Sequence, residues 1–351
     1  MLLRREKASV LDGIERLIAL QAQLPNPPYV GLWTRLAGFE RDELTSLIEK
    51  RRVVRSTMMR ATQHLVTARD YLRLRPVLQP MLDQRCRHNY GRGTAGIEPE
   101  ELITAGRALL EERPHTVTEL KARLAERWPR HDPLALGYSI QMLLPLVHIP
   151  PRGTWGKGGA VPAVLAEAYL KRPLSANRSP AQMILRYLAA FGPATIADVQ
   201  EWSGLKGLRA VVDTLRPKLR ILRDEEGRDL LDLPDAPLPD PDVPAPVRFL
   251  PEYDNLILAY ADRTRMLTRT VQEAIWTKNG LLSTALVDGT VAASWKITRD
   301  RKRATLTIDV LRRIAKSDRA ALAEEGTRLL AFTDPEVADH DVRFATFGQR
   351  A

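Results

Sequence analysis

Apolar side chains recur at three- and four-residue spacing through Val10, Leu11, Ile14, Leu17 and Ile18, and that stripe predicts a helix starting near Ser9. Gln21 takes the next position on the stripe, where another leucine would fit. Pro25 lacks an N–H and biases Leu24 away from helical backbone, so the helix is expected to stop near Gln23. Residues two apart diverge on a helix and share a face on an extended segment. Gln21 and Gln23 therefore converge on one site only if the chain unwinds before Pro25. Two readings stand on the spacing alone: both amides serve one site, or Gln21 is a partly buried amide satisfied by backbone and Gln23 is simply exposed.

Further along, helix-length stripes alternate with short apolar runs in a recurring plan of three helices and a hairpin. It is clearest over 173–233. Residues 179–191 predict a helix closed by Gly192-Pro193, Thr195 with Asp198 forms a capping pattern for a second, and 205–215 predict a third after Ser203-Gly204. Strands are expected over 219–222 and 229–233, about Glu225-Glu226-Gly227. That is the plan of a winged helix-turn-helix. A second such unit over 91–172 has helices at 100–112, 117–128 and 133–144, Thr116 and Glu119 as a cap, and a wing from 146–149 through a turn at 150–159 to 160–161. The first unit, 1–90, holds the glutamine-bearing helix, helices at 28–36 and 41–50, strands at 53–56 and 61–66, and a helix over 71–82 led by Thr67 and Asp70. A Pro/Asp-rich linker, 234–246, follows. Within the C-terminal unit, 247–351, an Asp288-Gly289 hairpin signal, a turn at 299–303 and a helical stripe at 317–332 predict a small antiparallel sheet with a helix. The expected fold class is mainly α with small β-hairpins, an α+β chain of three winged units and a C-terminal β-containing unit.

A formal charge of +10 and a pI of about 9.8, with Lys and Arg spread along the chain, point to a phosphate-rich partner, DNA or RNA first. No basic amphipathic helix or lipidation signal favours a membrane. Cys86 is the only cysteine, which excludes internal disulfides and multi-cysteine metal sites, and the six histidines show no metal-binding spacing. No signal peptide or long apolar run stands out, so a cytoplasmic protein without a cofactor or bound metal is expected.

Several side chains are candidates for DNA contact. The third helix of the 173–233 unit offers Lys206 and Arg209, with Arg216, Lys218 and Arg220 just beyond, either as phosphate ligands or as a solvated scaffold face. In the glycine-rich second wing, Arg152, Trp155 and Lys157 suit a flexible basic loop following a groove, unless Trp155 pins the wing to the core. The first wing contributes Arg55, Arg60 and His64, the last better suited to a structural hydrogen bond. Within the C-terminal unit, Arg263 and Arg265 follow Asp262 as DNA ligands or as an ion-pair network.

Four ordered segments carry a resemblance. They are Leu20-Gln21-Ala22-Gln23 with Pro25 to Trp33, Thr62-Gln63-His64-Leu65-Val66-Thr67-Ala68, Pro151-Arg152-Gly153-Thr154-Trp155-Gly156, and Leu250-Pro251-Glu252-Tyr253-Asp254-Asn255 continuing to Asp262-Arg263. Together, over nearly the whole chain, they resemble the AlkZ/YcaQ-like winged-helix DNA glycosylases. The resemblance implies a C-shaped, DNA-embracing monomer that excises N7-alkylated guanines from double-stranded DNA through a catalytic Gln-apolar-Gln or Gln-apolar-Asp element. Here that element is Gln21-Ala22-Gln23, whose second polar residue matches the AlkZ branch. It further implies action on bulky natural-product adducts, including interstrand crosslinks, often as producer self-resistance.

Neutral amides suit such a reaction. An N7-alkylated guanine is already cationic and leaves without a strong general acid. What remains is to orient a water, which a Gln carbonyl can do by accepting its hydrogen bond, and to favour a developing cation, for which a helix C-terminus at the glutamines is expected to help. No lysine stands out as a Schiff-base nucleophile, which favours a monofunctional glycosylase. The competing class is a winged-helix regulator that binds DNA without chemistry.

Overall fold

A computed structural model describes residues 1–240, 242–278 and 280–346. The chain divides into two compact units, one of residues 14–26 and 41–236 and the other of 1–13, 27–40 and 237–351.

The first helix, α1 (Val10–Arg16), is shorter than its apolar stripe. Ile18 adopts φ +67°, a left-handed conformation unusual for a β-branched residue, and Ala19 bonds back to the Leu17 carbonyl. The chain then extends as β1 (Leu20–Gln21). This corrects the helix expected to Gln23: the chain unwinds before Gln21, so the glutamines lie on and just after a strand, past the C-terminus of α1. The next helices are α2 (Pro27–Trp33) and α3 (Arg41–Glu49). Strands β2 (Val53–Thr57) and β3 (Gln63–Thr67) form a hairpin about a 3₁₀ turn at Met59–Ala61, and β3 lies between β1 and β2 in a three-stranded sheet. Both pairings are antiparallel, with Gln21 opposite His64 and His64 opposite Ser56.

Thr67 caps α4 (Ala68–Tyr90) by accepting from the Asp70 amide, and this helix runs well past the expected 71–82. Helices α5 (Pro99–Glu112), α6 (Val117–Arg127) and α7 (Pro133–Leu143) lead to β4 (Leu146–His148) and β5 (Ala163–Leu165). Thr116 and Glu119 make the reciprocal capping box at the start of α6. Leu102, Leu110, Leu120, Leu136, Ile140 and Leu165 belong to one buried cluster that joins these helices to the hairpin. The returning strand starts at Ala163, three residues later than expected, which lengthens the loop between the wing strands.

After α8 (Ala166–Leu170), the plan recurs as α9 (Ala181–Phe191), α10 (Ile196–Ser203), α11 (Arg209–Leu215), β6 (Arg220–Arg223) and β7 (Asp229–Asp232). Thr195 and Asp198 close the second capping box. The third helix begins later than 205 because Gly207, at φ +70°, cannot continue into helical backbone. Tyr187, Phe191 and Trp202 pack ring against ring, with centroids 5.2 to 6.3 Å apart.

In the linker, Pro241 lies outside the described residues. Beyond it come β8 (Arg248–Leu250), α12 (Asn255–Leu258), α13 (Arg269–Ile275), the short pair β9 (Trp276–Thr277) and β10 (Gly280–Leu281), β11 (Thr284–Val287), β12 (Thr290–Arg299), β13 (Arg303–Val310), α14 (Lys316–Thr333) and β14 (Asp339–Thr346). Residues 347–351, at the end of the expected C-terminal unit, also lie outside the described set. The main sheet has the order β14-β13-β12-β11-β8. Its pairings are antiparallel except for β13 with β14, which corrects the purely antiparallel expectation. The 18-residue α14 carries the chain back to the starting end of the sheet, so the next strand runs parallel. In the same unit, Arg35 after α2 grips Asp254 with two bonds of 2.7 and 2.8 Å, both side chains almost fully buried.

Candidate active site

The sheet of β1, β3 and β2 carries the candidate site. Ala22 continues the pairing by donating to the Gln63 carbonyl at 2.7 Å. Gln21 is buried at 7 % exposure, whereas Gln23 is exposed. Arg60 donates from Nη2 to the Gln21 side-chain oxygen at 2.7 Å. Because guanidinium only donates, this contact fixes the amide: Oε1 faces Arg60 and the NH₂ faces away. Gln23 Oε1 accepts from the Gln63 amide at 3.4 Å, beyond the usual hydrogen-bond range. Both side-chain oxygens are thus met by the 60–63 segment, one firmly and one loosely.

Arg60 owes its placement to a tight turn. It sits at φ +53° and ψ 16°, and Ala61 also has positive φ. Its Nη1 donates to the carbonyl of Trp202, in the last turn of α10, where an unpaired carbonyl and a favourable helix end await a cation. Gly204, at φ +80°, makes room, since a β-carbon there would stand 3.1 Å from Arg60 Cα.

Arg55, on β2, holds the backbone of the same segment. Its Nε donates to the Ala22 carbonyl at 2.8 Å, its Nη2 to the Gln23 carbonyl at 3.2 Å, and its Nη1 meets His148 Nδ1 at 2.9 Å. Burial lowers the Arg55 pKa to about 10, so it stays charged at neutral pH. Burial, reinforced by Arg55, lowers His148 to about 3. His64 is also lowered to about 3, chiefly by burial and then by Arg60, while its bond to the Thr62 carbonyl opposes the shift. Both rings are neutral at physiological pH.

Arg55, Arg60 and His64, expected as DNA contacts, each bond to an acceptor of the protein itself in a hairpin that is paired to β1. In the second wing, Arg152 is exposed and donates to the Gly158 carbonyl, and Lys157 is exposed. Trp155 is half-buried with the Arg41 guanidinium 5.0 Å from its ring centre. Lys206, expected on the third helix of its unit, lies exposed in the loop before it, and Arg209 is that helix's exposed first residue. In the other unit, Arg263 donates to the Ile257 carbonyl and lies over Trp276, and Arg265 lies over Tyr260. Sequence reasoning missed His148 and Asn26. His148 reads as one more residue of a short strand, and Asn26 as part of a proline-rich turn; no spacing signal marks either.

Among the described residues no group of three or more His, Cys, Asp or Glu side chains is placed to hold a metal, and no helix is long and apolar enough to cross a membrane. A family model described as DNA glycosylase AlkZ-like matches residues 14–332. The chain belongs to the AlkZ-like DNA glycosylase family. The solved structure of Streptomyces sahachiroi DNA glycosylase AlkZ is similar, with a TM-score of 0.77 over 98 % of this chain and 95 % of that one. At 20 % sequence identity, that likeness speaks for the fold. No curated protein matches. The family supports a glycosylase that acts on DNA, and the three-stranded sheet supplies this AlkZ-like chain with two amides in distinct settings: one locked, one exposed.

Proposed function

We propose that this chain is a monofunctional DNA glycosylase that hydrolyses the N-glycosidic bond of N7-alkylated guanine in double-stranded DNA. The observation that carries this reading is the pair Gln21 and Gln23, with the first amide fixed by Arg60 and the second exposed beside it. In the reaction the C1′–N9 bond breaks and its electrons neutralise the cationic base. A water attacks C1′ to give the sugar hemiacetal and loses its proton to solvent. Gln23 orients that water through its side-chain oxygen, which has only a 3.4 Å contact to compete with it. Gln21, with its oxygen on Arg60, turns its NH₂ toward the sugar side.

Residues 1–90, 91–172 and 173–233 serve as three winged-helix units in a monomer, with Arg152, Trp155, Lys157, Lys206, Arg209, Arg263 and Arg265 as the DNA-facing cations and aromatic. The substrates are bulky natural-product adducts, interstrand crosslinks among them, and the role is repair or self-resistance. Full flipping of so large a base into a closed pocket is not required, since the adduct would have to follow it. The test is incubation with duplex DNA carrying 7-methylguanine or a bulky N7 adduct, followed by alkali. Strand cleavage at the modified guanine supports the reading. Tight binding to one sequence with no cleavage replaces it with a regulator.

A further inference from the structure

The loop between β4 and β5 closes over Arg55. Gly153, at φ +84°, lies where a β-carbon would stand 3.2 Å from Arg55 Cδ. Thr154 is buried, and the Gly156 amide donates to Asn26 Oδ1 at 2.8 Å, three residues past Gln23. His148, at the end of β4, offers Nδ1 to Arg55. Arginine has no lone pair, so Nδ1 must be the acceptor and the ring proton sits on Nε2. Three N–H groups of one guanidinium are therefore directed at three fixed acceptors, two of which are the consecutive carbonyls of Ala22 and Gln23.

We propose that Arg55, oriented by His148 and covered by the second-wing loop, is the positioning residue for Gln23: it fixes the backbone from which the water-orienting amide projects. This rests on the reading that Gln23 orients the water. Gln23 itself is exposed, and its side chain has only the long contact to Gln63, so its aim depends on the rigidity of its backbone. A planar fork with three donors in set directions supplies that rigidity, and a lysine, with one point of charge on a flexible stem, does not. The neutral state of His148 belongs to the same device, since a protonated ring would present a donor to a donor.

Three variants separate positioning from mere support of the fold. Arg55→Lys and His148→Leu remove the fork or its acceptor, while His148→Asn keeps an acceptor near the Nδ1 position. Single-turnover excision of 7-methylguanine from duplex DNA, affinity for a duplex with a 2′-fluoro 7-methylguanosine that resists hydrolysis, and thermal melting are measured for each. The expected result is a rate loss of about tenfold or more for Arg55→Lys and His148→Leu, from misplacement of the water. Affinity stays within about twofold, and His148→Asn recovers most of the rate. Histidine ¹⁵N shifts of the whole protein should show His148 neutral, with Nδ1 unprotonated, down to about pH 5. Wild-type rates in both disruptive variants, a rate loss that simply follows melting, or a His148 that titrates near 6.5 overturns the proposal. If the wild-type chain excises nothing, the glycosylase reading falls, and the histidine titration alone decides whether the clamp exists.

Discussion

Arg60 and Gln21, 39 residues apart in sequence, are joined by a 2.7 Å bond from guanidinium to amide oxygen, and that bond settles which end of the Gln21 side chain points outward. The same arginine reaches the last turn of α10, so the amide is tied through one side chain to the end of a helix.

Replacing Arg60 with Met should free the Gln21 amide and leave the Trp202 carbonyl without its charged donor. The expected cost is roughly 1.5–3 kcal/mol of stability, as for loss of a charged hydrogen bond. Excision should fall further than stability alone explains, because the amide can then rotate. Denaturant unfolding alongside single-turnover kinetics checks both.

Gly204→Ala tests the packing that seats the Arg60 turn. The residue has φ +80°, and a β-carbon would meet Arg60 Cα and N at 3.1 Å. A loss of about 1–2 kcal/mol is expected from the left-handed backbone alone, with more from the close approach. An unchanged unfolding midpoint would show that the turn lies elsewhere.

Stability should decline on acidification below the ordinary histidine range. His64 and His148 have folded pKa values of about 3 against a reference of 6.5. Between those values the unfolded chain binds protons that the folded one refuses, so their contribution is present above about pH 6.5 and is lost as pH falls toward 3. Each ring contributes a slope of up to about 1.4 kcal/mol per pH unit. Urea midpoints measured from pH 7.5 to 5 should fall, and the fall should be shallower in His148→Asn.

Asp254→Asn should be among the most damaging conservative changes in the unit that holds it. It keeps the shape, but leaves the Arg35 cation buried and facing a neutral amide. Breaking a buried pair from one side costs about 3–5 kcal/mol, whereas the double change Arg35→Met with Asp254→Leu should be far milder. Thermal unfolding of the two proteins distinguishes them.

How much of this was legible in the sequence depends on how local the cause was. The caps at Thr67, Thr116 and Thr195 were readable because each is satisfied three residues away. The end of α1 was not, since it is set by a left-handed Ile18 and by pairing of β1 with β3, and no local signal announces either. The parallel strand β14 depends likewise on where a long helix returns the chain. At the site, Gln21 and Gln23 stood out as amides where an apolar stripe ends. The arginines that hold them were named only as candidate DNA contacts, because a guanidinium bound for a backbone carbonyl has the same sequence as one bound for a phosphate.

The measurement that bears most directly on the proposed reaction is single-turnover excision of 7-methylguanine from duplex DNA by wild type and Gln23→Ala, with affinity measured separately on the 2′-fluoro duplex. If Gln23 orients the water, the variant binds the duplex like wild type and releases the base at least about tenfold more slowly. Release at the wild-type rate would remove Gln23 from the reaction, and the loosely held amide beside Gln63 would be no more than an exposed side chain.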